Sequence, residues 1–223
     1  MMPFPGGPEA LPNGTLLLSV AAAVLYLFMT GREPSWRRTL AKTASTALLA
    51  VLAFVVGGPV LLVVALVLSA AGDAFLAHEG EPAFMAGLGS FLAAHIAYIV
   101  LFAQSGAGPA VLFAEPWRLA AALLMLAFSV GMFLRLRPAL PAALLAPVAV
   151  YVAAILGMGV FALTLPSWVV IAGAVLFMAS DAILAVGRFL IAETSPRQAI
   201  VRPAVWILYY IAQAAITLGF LLG

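Results

Sequence analysis

Eight apolar runs separated by short polar breaks leave this 223-residue chain very little choice of fold. A predominantly apolar stretch of about 20 residues matches the hydrocarbon thickness of a bilayer when helical. Within lipid, only a helix or a closed barrel satisfies its own backbone polar groups. The expected class is therefore all-α, a polytopic integral membrane protein with eight transmembrane helices in one domain. The expected spans are residues 14–29, 40–56, 60–77, 84–102, 117–134, 138–163, 166–187 and 203–222. Their breaks carry the residues that stop helices: Gly31 and a basic loop, Gly57-Gly58-Pro59, the polar segment 78–82, and Pro166 ahead of the seventh span. Pro141 and Pro147 fall inside the sixth, where they are expected to bend it.

Composition agrees. Charged residues make up 8% of the chain and hydrophobic residues 66%, against roughly a quarter charged in a soluble domain. The small positive net charge does not point to nucleic acid, because Lys and Arg sit between apolar runs rather than in a patch. Their distribution orients the chain instead. Arg32, Arg37, Arg38, Lys42, Arg135, Arg137, Arg188, Arg197 and Arg202 all fall on one side of the eight-span scheme, and Arg118 alone on the other. By the positive-inside rule the crowded side is cytoplasmic and both termini lie outside, as expected in a bacterial cytoplasmic membrane. No Lys or Arg precedes the first run, so a cleaved signal peptide is not expected. With no Cys, there is no disulfide framework, thiol nucleophile or Cys-based metal site.

The chain has two aspartates, Asp73 and Asp181, and both interrupt apolar runs, whereas all six glutamates lie in loops or tails. An Asp at mid-helix costs roughly 2.5–3.5 kcal/mol on insertion scales and is a functional-site hypothesis by default. The bland reading is helix–helix glue. The functional reading is a pair of carboxyls in a water-accessible pocket, dividing the roles of acid and base. The two aspartates sit in similar surroundings. LVLSAAGDAFLA (66–77) and AVLFMASDAILA (174–185) share Val, Leu, Ala, Asp, Ala, Leu and Ala in register. Extended, the match lays His95 over Gln213 and suggests a parallel repeat of two four-helix halves. Chance similarity between Ala/Leu-rich helices is the alternative.

Other polar residues in or beside the spans are candidates for the same pocket. Arg188 follows Asp181 by seven residues on the same helix face, and it reads as a phosphate ligand or as a snorkelling anchor. Lys42, with Ser45 and Thr46 after it, has the same two readings. His95, Tyr98, Tyr151, Tyr209, Tyr210 and Gln213 are further substrate-binding candidates, although membrane tyrosines also serve as interfacial anchors. A zinc site takes three or four ligands, and two Asp with one His on three helices do not supply them. No metal or cofactor is expected. Gly-rich phosphate loops, HExxH and Gly-x-Ser-x-Gly are absent.

Gly72-Asp73-Ala74-Phe75-Leu76, the run from Gly87 through His95 to Tyr98, Ser180-Asp181 on to Arg188-Phe189, and Tyr209-Tyr210-Ile211-Ala212-Gln213 occur in this order. Together they resemble the YhhN-like membrane proteins, the lysoplasmalogenase family. One departure is Lys42-Thr43, where members of that family often carry Lys-Pro. The resemblance implies an eight-span hydrolase acting on a lysophospholipid with an sn-1 vinyl ether, giving a fatty aldehyde and a glycerophospho head group. Its partners would be that lipid and the bilayer, with no nucleic acid and no protein partner specified. The bottom-up reading suits such chemistry: protonation at carbon, an oxocarbenium ion and an activated water call for an acid and a second carboxylate. Which Asp plays which part stays open. The rival readings are a transporter or channel in which the aspartates carry protons or a cation, and a non-catalytic scaffold.

Overall fold

A computed structural model describes residues 2–223. Among them are nine α-helices: α1 Leu11–Leu27, α2 Trp36–Val55, α3 Val60–Leu76, α4 Glu81–Ser105, α5 Ala110–Ala114, α6 Pro116–Leu136, α7 Ala142–Ala162, α8 Trp168–Phe189 and α9 Gln198–Leu221. Six of them, α2, α4 and α6 to α9, are long and apolar enough to cross a membrane. α1 and α3, both expected as spans, are apolar but 17 residues long, or about 25 Å at 1.5 Å per residue. α3 is held to that length by Pro59 as its N-cap and by the bend into the polar segment after Ala77.

Local chemistry explains where the helices depart from the expected boundaries. Ser35 caps α2, its hydroxyl accepting the Arg38 N–H at 3.4 Å, so the helix opens at Trp36 and takes two arginines into its first turn. The sixth span was expected from residue 138. Residues Arg137–Ala139 instead form a 3₁₀ turn, and Pro141 caps α7, which then runs on through Pro147. Pro203 was expected to open the last span but lies inside α9. Between α2 and α3, Gly57 takes φ +76° and its neighbour's N–H returns to the Ala53 carbonyl at 2.8 Å. This left-handed closure is the one glycine makes most easily.

The helices α2, α3, α4, α7, α8 and α9 pack each against the next and close a ring, α9 returning to α2. α1 packs outside it on α2 and α9, and α6 outside it on α7. The core fills the ring with Leu49, Leu52, Leu62, Leu66, Tyr98, Phe102, Phe177 and Ile216, all essentially inaccessible. The α3–α4 and α8–α9 hairpins are the most intimate contacts. Gly72 shows why: a Cβ there would lie 2.6 Å from the Phe91 ring, so only glycine lets α4 approach this close beside Asp73.

Chain direction puts the expected cluster of cations at one end of the bundle, hereafter the basic end. Arg118 is at the other. Its guanidinium donates to the Leu163 and Leu165 carbonyls beyond the end of α7, the latter at 2.9 Å, and pairs with Glu115 at 2.8 Å while stacking on Trp117. Glu115 also accepts the Trp117 indole N–H, and the Arg118 bond foremost holds its carboxyl below the usual range.

Candidate functional site

Asp73 lies on α3 one turn from its end, with its side chain 1% exposed. A buried carboxylate needs partners, and three reach it. Thr46 Oγ1 on α2 donates at 2.8 Å, Tyr209 Oη on α9 donates at 2.7 Å, and Lys42 Nζ on α2 pairs at 3.4 Å. Lys42 and Thr46 are four residues apart, as are Tyr209 and Gln213, so each pair shares one helix face. Gln213 donates to the Tyr209 hydroxyl at 3.4 Å and accepts from Tyr98 at 2.5 Å. Asp73 thus ends a buried relay from α4 through α9.

Asp181, on α8, is held more loosely. Tyr151 on α7 donates to it at 2.5 Å, and His95 Nε2 on α4 stands 3.9 Å away. His95 is fully buried, edge-on to Tyr151 and Phe177, and neither ring nitrogen has a hydrogen-bond partner of good geometry. The aromatic rings of Phe91, Phe177 and Tyr209 meet edge-to-face, linking the surroundings of the two acids.

Both carboxyls line one cavity of about 600 Å³, whose lining includes the basic-end loops. Its walls carry Arg32, Arg38, Lys42, Arg188 and Arg202, with Glu33, Glu79 and Glu193 among them. Arg188 pairs with Glu193 at 3.1 Å and lies over Phe84. Arg38 and Lys42 both lie over the ring of Tyr26, which meets Trp206 edge-on. A second, apolar chamber of about 80 Å³ begins where the first ends. Leu76, Phe84, Phe91, Asp181, Leu184 and Arg188 belong to both linings. Neither lining includes a residue from the Arg118 end.

The structure therefore brings Asp73, Asp181, Lys42, Arg188 and Tyr209 to the larger cavity, and Tyr151 with Asp181 to the chamber. His95 sits behind these beside Asp181, Gln213 behind Tyr209, and Tyr98 behind Gln213. Tyr210 points elsewhere. One residue on from Tyr209, it is turned about 100° around the helix, and its hydroxyl meets Ser19 on α1 at 2.8 Å. The sequence reading left out Arg38, Arg202, Trp206 and the chamber-lining residues of α6. Arg38 has a usable signal, lying one turn before Lys42 on the same face. Among the described residues, no group of three or more His, Cys, Asp or Glu is arranged to hold a metal ion.

The model of the YhhN family matches residues 37–220, which include every side chain of the two acid clusters. The chain belongs to the YhhN family. Two relatives, from Mycobacterium bovis and Mycobacterium tuberculosis, are each named lysoplasmalogenase. Each is 33% identical over 243 aligned residues, covering 100% of this chain and 89% of the relative. No solved structure matches the chain significantly. Family membership and six long apolar helices make this an integral membrane protein.

Proposed function

We propose that this protein hydrolyses the sn-1 vinyl ether of lysoplasmalogens, releasing a fatty aldehyde and a glycerophosphoethanolamine or glycerophosphocholine. The observation that carries this reading is the junction at Asp181. On one side lies a cavity with a cationic rim suited to a phosphate, and on the other a chamber suited to hydrocarbon. The names of the two relatives support the same substrate class. Linings that stop short of the Arg118 end favour hydrolysis over transport.

In the proposed reaction the Asp181 carboxyl transfers its proton to the alkenyl carbon one removed from oxygen. The double-bond electrons form the new C–H bond, and the carbon attached to oxygen becomes an oxocarbenium ion. Water adds to that carbon and gives its proton to the Asp73 carboxylate. The resulting hemiacetal breaks its bond to the glycerol oxygen, which takes the proton from Asp73, while the hemiacetal hydroxyl returns a proton to Asp181. One water is consumed and both acids are restored. Tyr151 orients Asp181, and the Lys42–Thr46–Tyr209 cluster fixes Asp73. Arg38, Lys42, Arg188 and Arg202 receive the phosphate.

The same reading takes α1 and α3 as spans, giving eight crossings in one domain with the basic end in the cytoplasm and both termini outside. It also takes the two halves as a parallel repeat. Asp73 is contacted from α2 and α9, and Asp181 from α7 and α4. Under the repeat α2 corresponds to α7 and α9 to α4, so each acid receives equivalent neighbours, one from its own half and one from the other.

The test is aldehyde release from a lysoplasmenyl phospholipid by purified protein in detergent. Release by the wild type, and its loss in Asp181→Asn and Asp73→Asn variants that remain monodisperse, is the expected result. A well-folded wild type that releases none with either head group overturns the assignment.

A further inference from the structure

The chamber beyond Asp181 is more specific than a generic lipid contact, and this argument rests on the hydrolase reading above. Its walls come from α4, α6, α7 and α8, with Leu76 at the end of α3; Phe84 and Leu88 of α4 and Phe128 and Met132 of α6 are among them. The chamber holds about 80 Å³ of space and its lining is almost wholly apolar, as an aliphatic chain requires. Apolar chain placed in the larger cavity instead would lie among arginines, against a polar lining. α4 and α6 confront each other across the chamber rather than packing as neighbours. α6 is also the least buried of the six long apolar helices, so a longer chain can continue between α4 and α6 toward lipid.

We infer that this chamber binds the single alkenyl chain of the substrate, and that Ser129 on α6 is a specificity-determining residue for it. Occupancy by one hydrocarbon chain follows from continuity. With the head group at the cationic rim and the chain in the chamber, the vinyl ether between them meets Asp181, which belongs to both linings. Ser129 is the one small hydroxyl residue in the chamber wall. It is 4% exposed, on a helix that packs mainly against α7. A bulky side chain there fills space the alkenyl chain needs.

The experiment compares hexadecenyl and butenyl lysoplasmenyl-ethanolamine as substrates of the wild type, Ser129→Phe and, from the adjoining α7 wall, Val152→Phe. Steric exclusion of a few methylenes is worth about 10–200-fold. Ser129→Phe should therefore lower kcat/KM for the hexadecenyl substrate, mostly through KM, by at least about tenfold more than for the butenyl substrate. Equal losses on both substrates, or none on either, overturn the chamber as chain site while leaving the hydrolase reading intact. A wild type inactive on both overturns the hydrolase reading itself. A lysophospholipid with a mid-chain diazirine supplies a readout independent of turnover and of either variant's folding. Photolabelling of α6 and α7 in the wild type is expected, and labelling confined to α1 would overturn the assignment.

Discussion

The two aspartates sit in matching sequence surroundings and in unlike structural ones. Asp73 is closed in by an ammonium and two hydroxyls, and a relay of Tyr98, Gln213 and Tyr209 stands behind it. Asp181 has one tyrosine, a histidine 3.9 Å away, and a side chain 13% exposed at the meeting of two cavities. The contrast suggests how a repeated motif divides labour: one carboxyl fixed in place, the other accessible to a substrate. Substitutions at each site test that division.

The largest expected effect is on Asp181. Asp181→Asn removes the proposed acid and should cut aldehyde release by about 10²–10⁴-fold, with the melting temperature almost unchanged because few interactions are lost. A variant that keeps wild-type turnover would move the acid elsewhere. Asp73→Asn should also abolish most turnover, but with a structural cost. Lys42 is then left as an uncompensated, nearly buried cation, and breaking such a pair costs about 3 kcal/mol. Thermal melts should show Lys42→Met restoring stability to Asp73→Asn without restoring activity; an Asp73→Asn protein as stable as wild type would erase the contrast.

The tyrosines sharpen it further. Tyr151→Phe removes the one hydrogen-bond donor that the described residues give Asp181, and losing about 1.4 kcal/mol of orientation corresponds to about tenfold in kcat. Tyr209→Phe leaves Thr46 and Lys42 in place on Asp73, so its kinetic loss should be smaller than that of Tyr151→Phe. Side-by-side steady-state rates decide, and the reverse order would mean that Asp73 is the more finely placed acid. Smallest of all is Arg202→Gln at the cavity mouth. Other cations share the rim, so KM should rise about threefold at constant kcat, the pattern of lost uniform binding. A fall in kcat instead would implicate the rim in the chemical step.

Much of this was legible from the chain. Helices follow from apolar runs because lipid gives the backbone no other partner, and both acids stand out because ionisable groups are rare in such runs. Lys42, Tyr151, Tyr209 and Gln213 could be named for the same reason. Their pairing could not, since it depends on which helices become neighbours: α4 meets α7, and α9 returns to α2. Tyr210 shows the limit of naming by residue type, its hydroxyl meeting Ser19 on α1 rather than an acid. The chamber was wholly hidden. Phe128 and Met132 are apolar residues in an apolar helix, and nothing in periodicity separates a lining face from a lipid-facing one. The short α5 lies between the expected fourth and fifth spans and belongs to neither.

Arg118 and Glu115 bear on how the chain gets into the bilayer at all. With the basic end inside, as proposed, the leading tip of α6 crosses the membrane carrying an arginine whose carbonyl partners lie some 45 residues further along the chain. Glu115, three residues ahead, pairs with it locally. The tip therefore carries no net charge through the barrier, and it pulls against neither the membrane potential nor the orientation signal of the basic loops. Neutralising Arg118 alone would leave an unbalanced glutamate to be translocated. Under the proposed orientation, the same pair that clamps the end of α7 also balances its own charge during insertion.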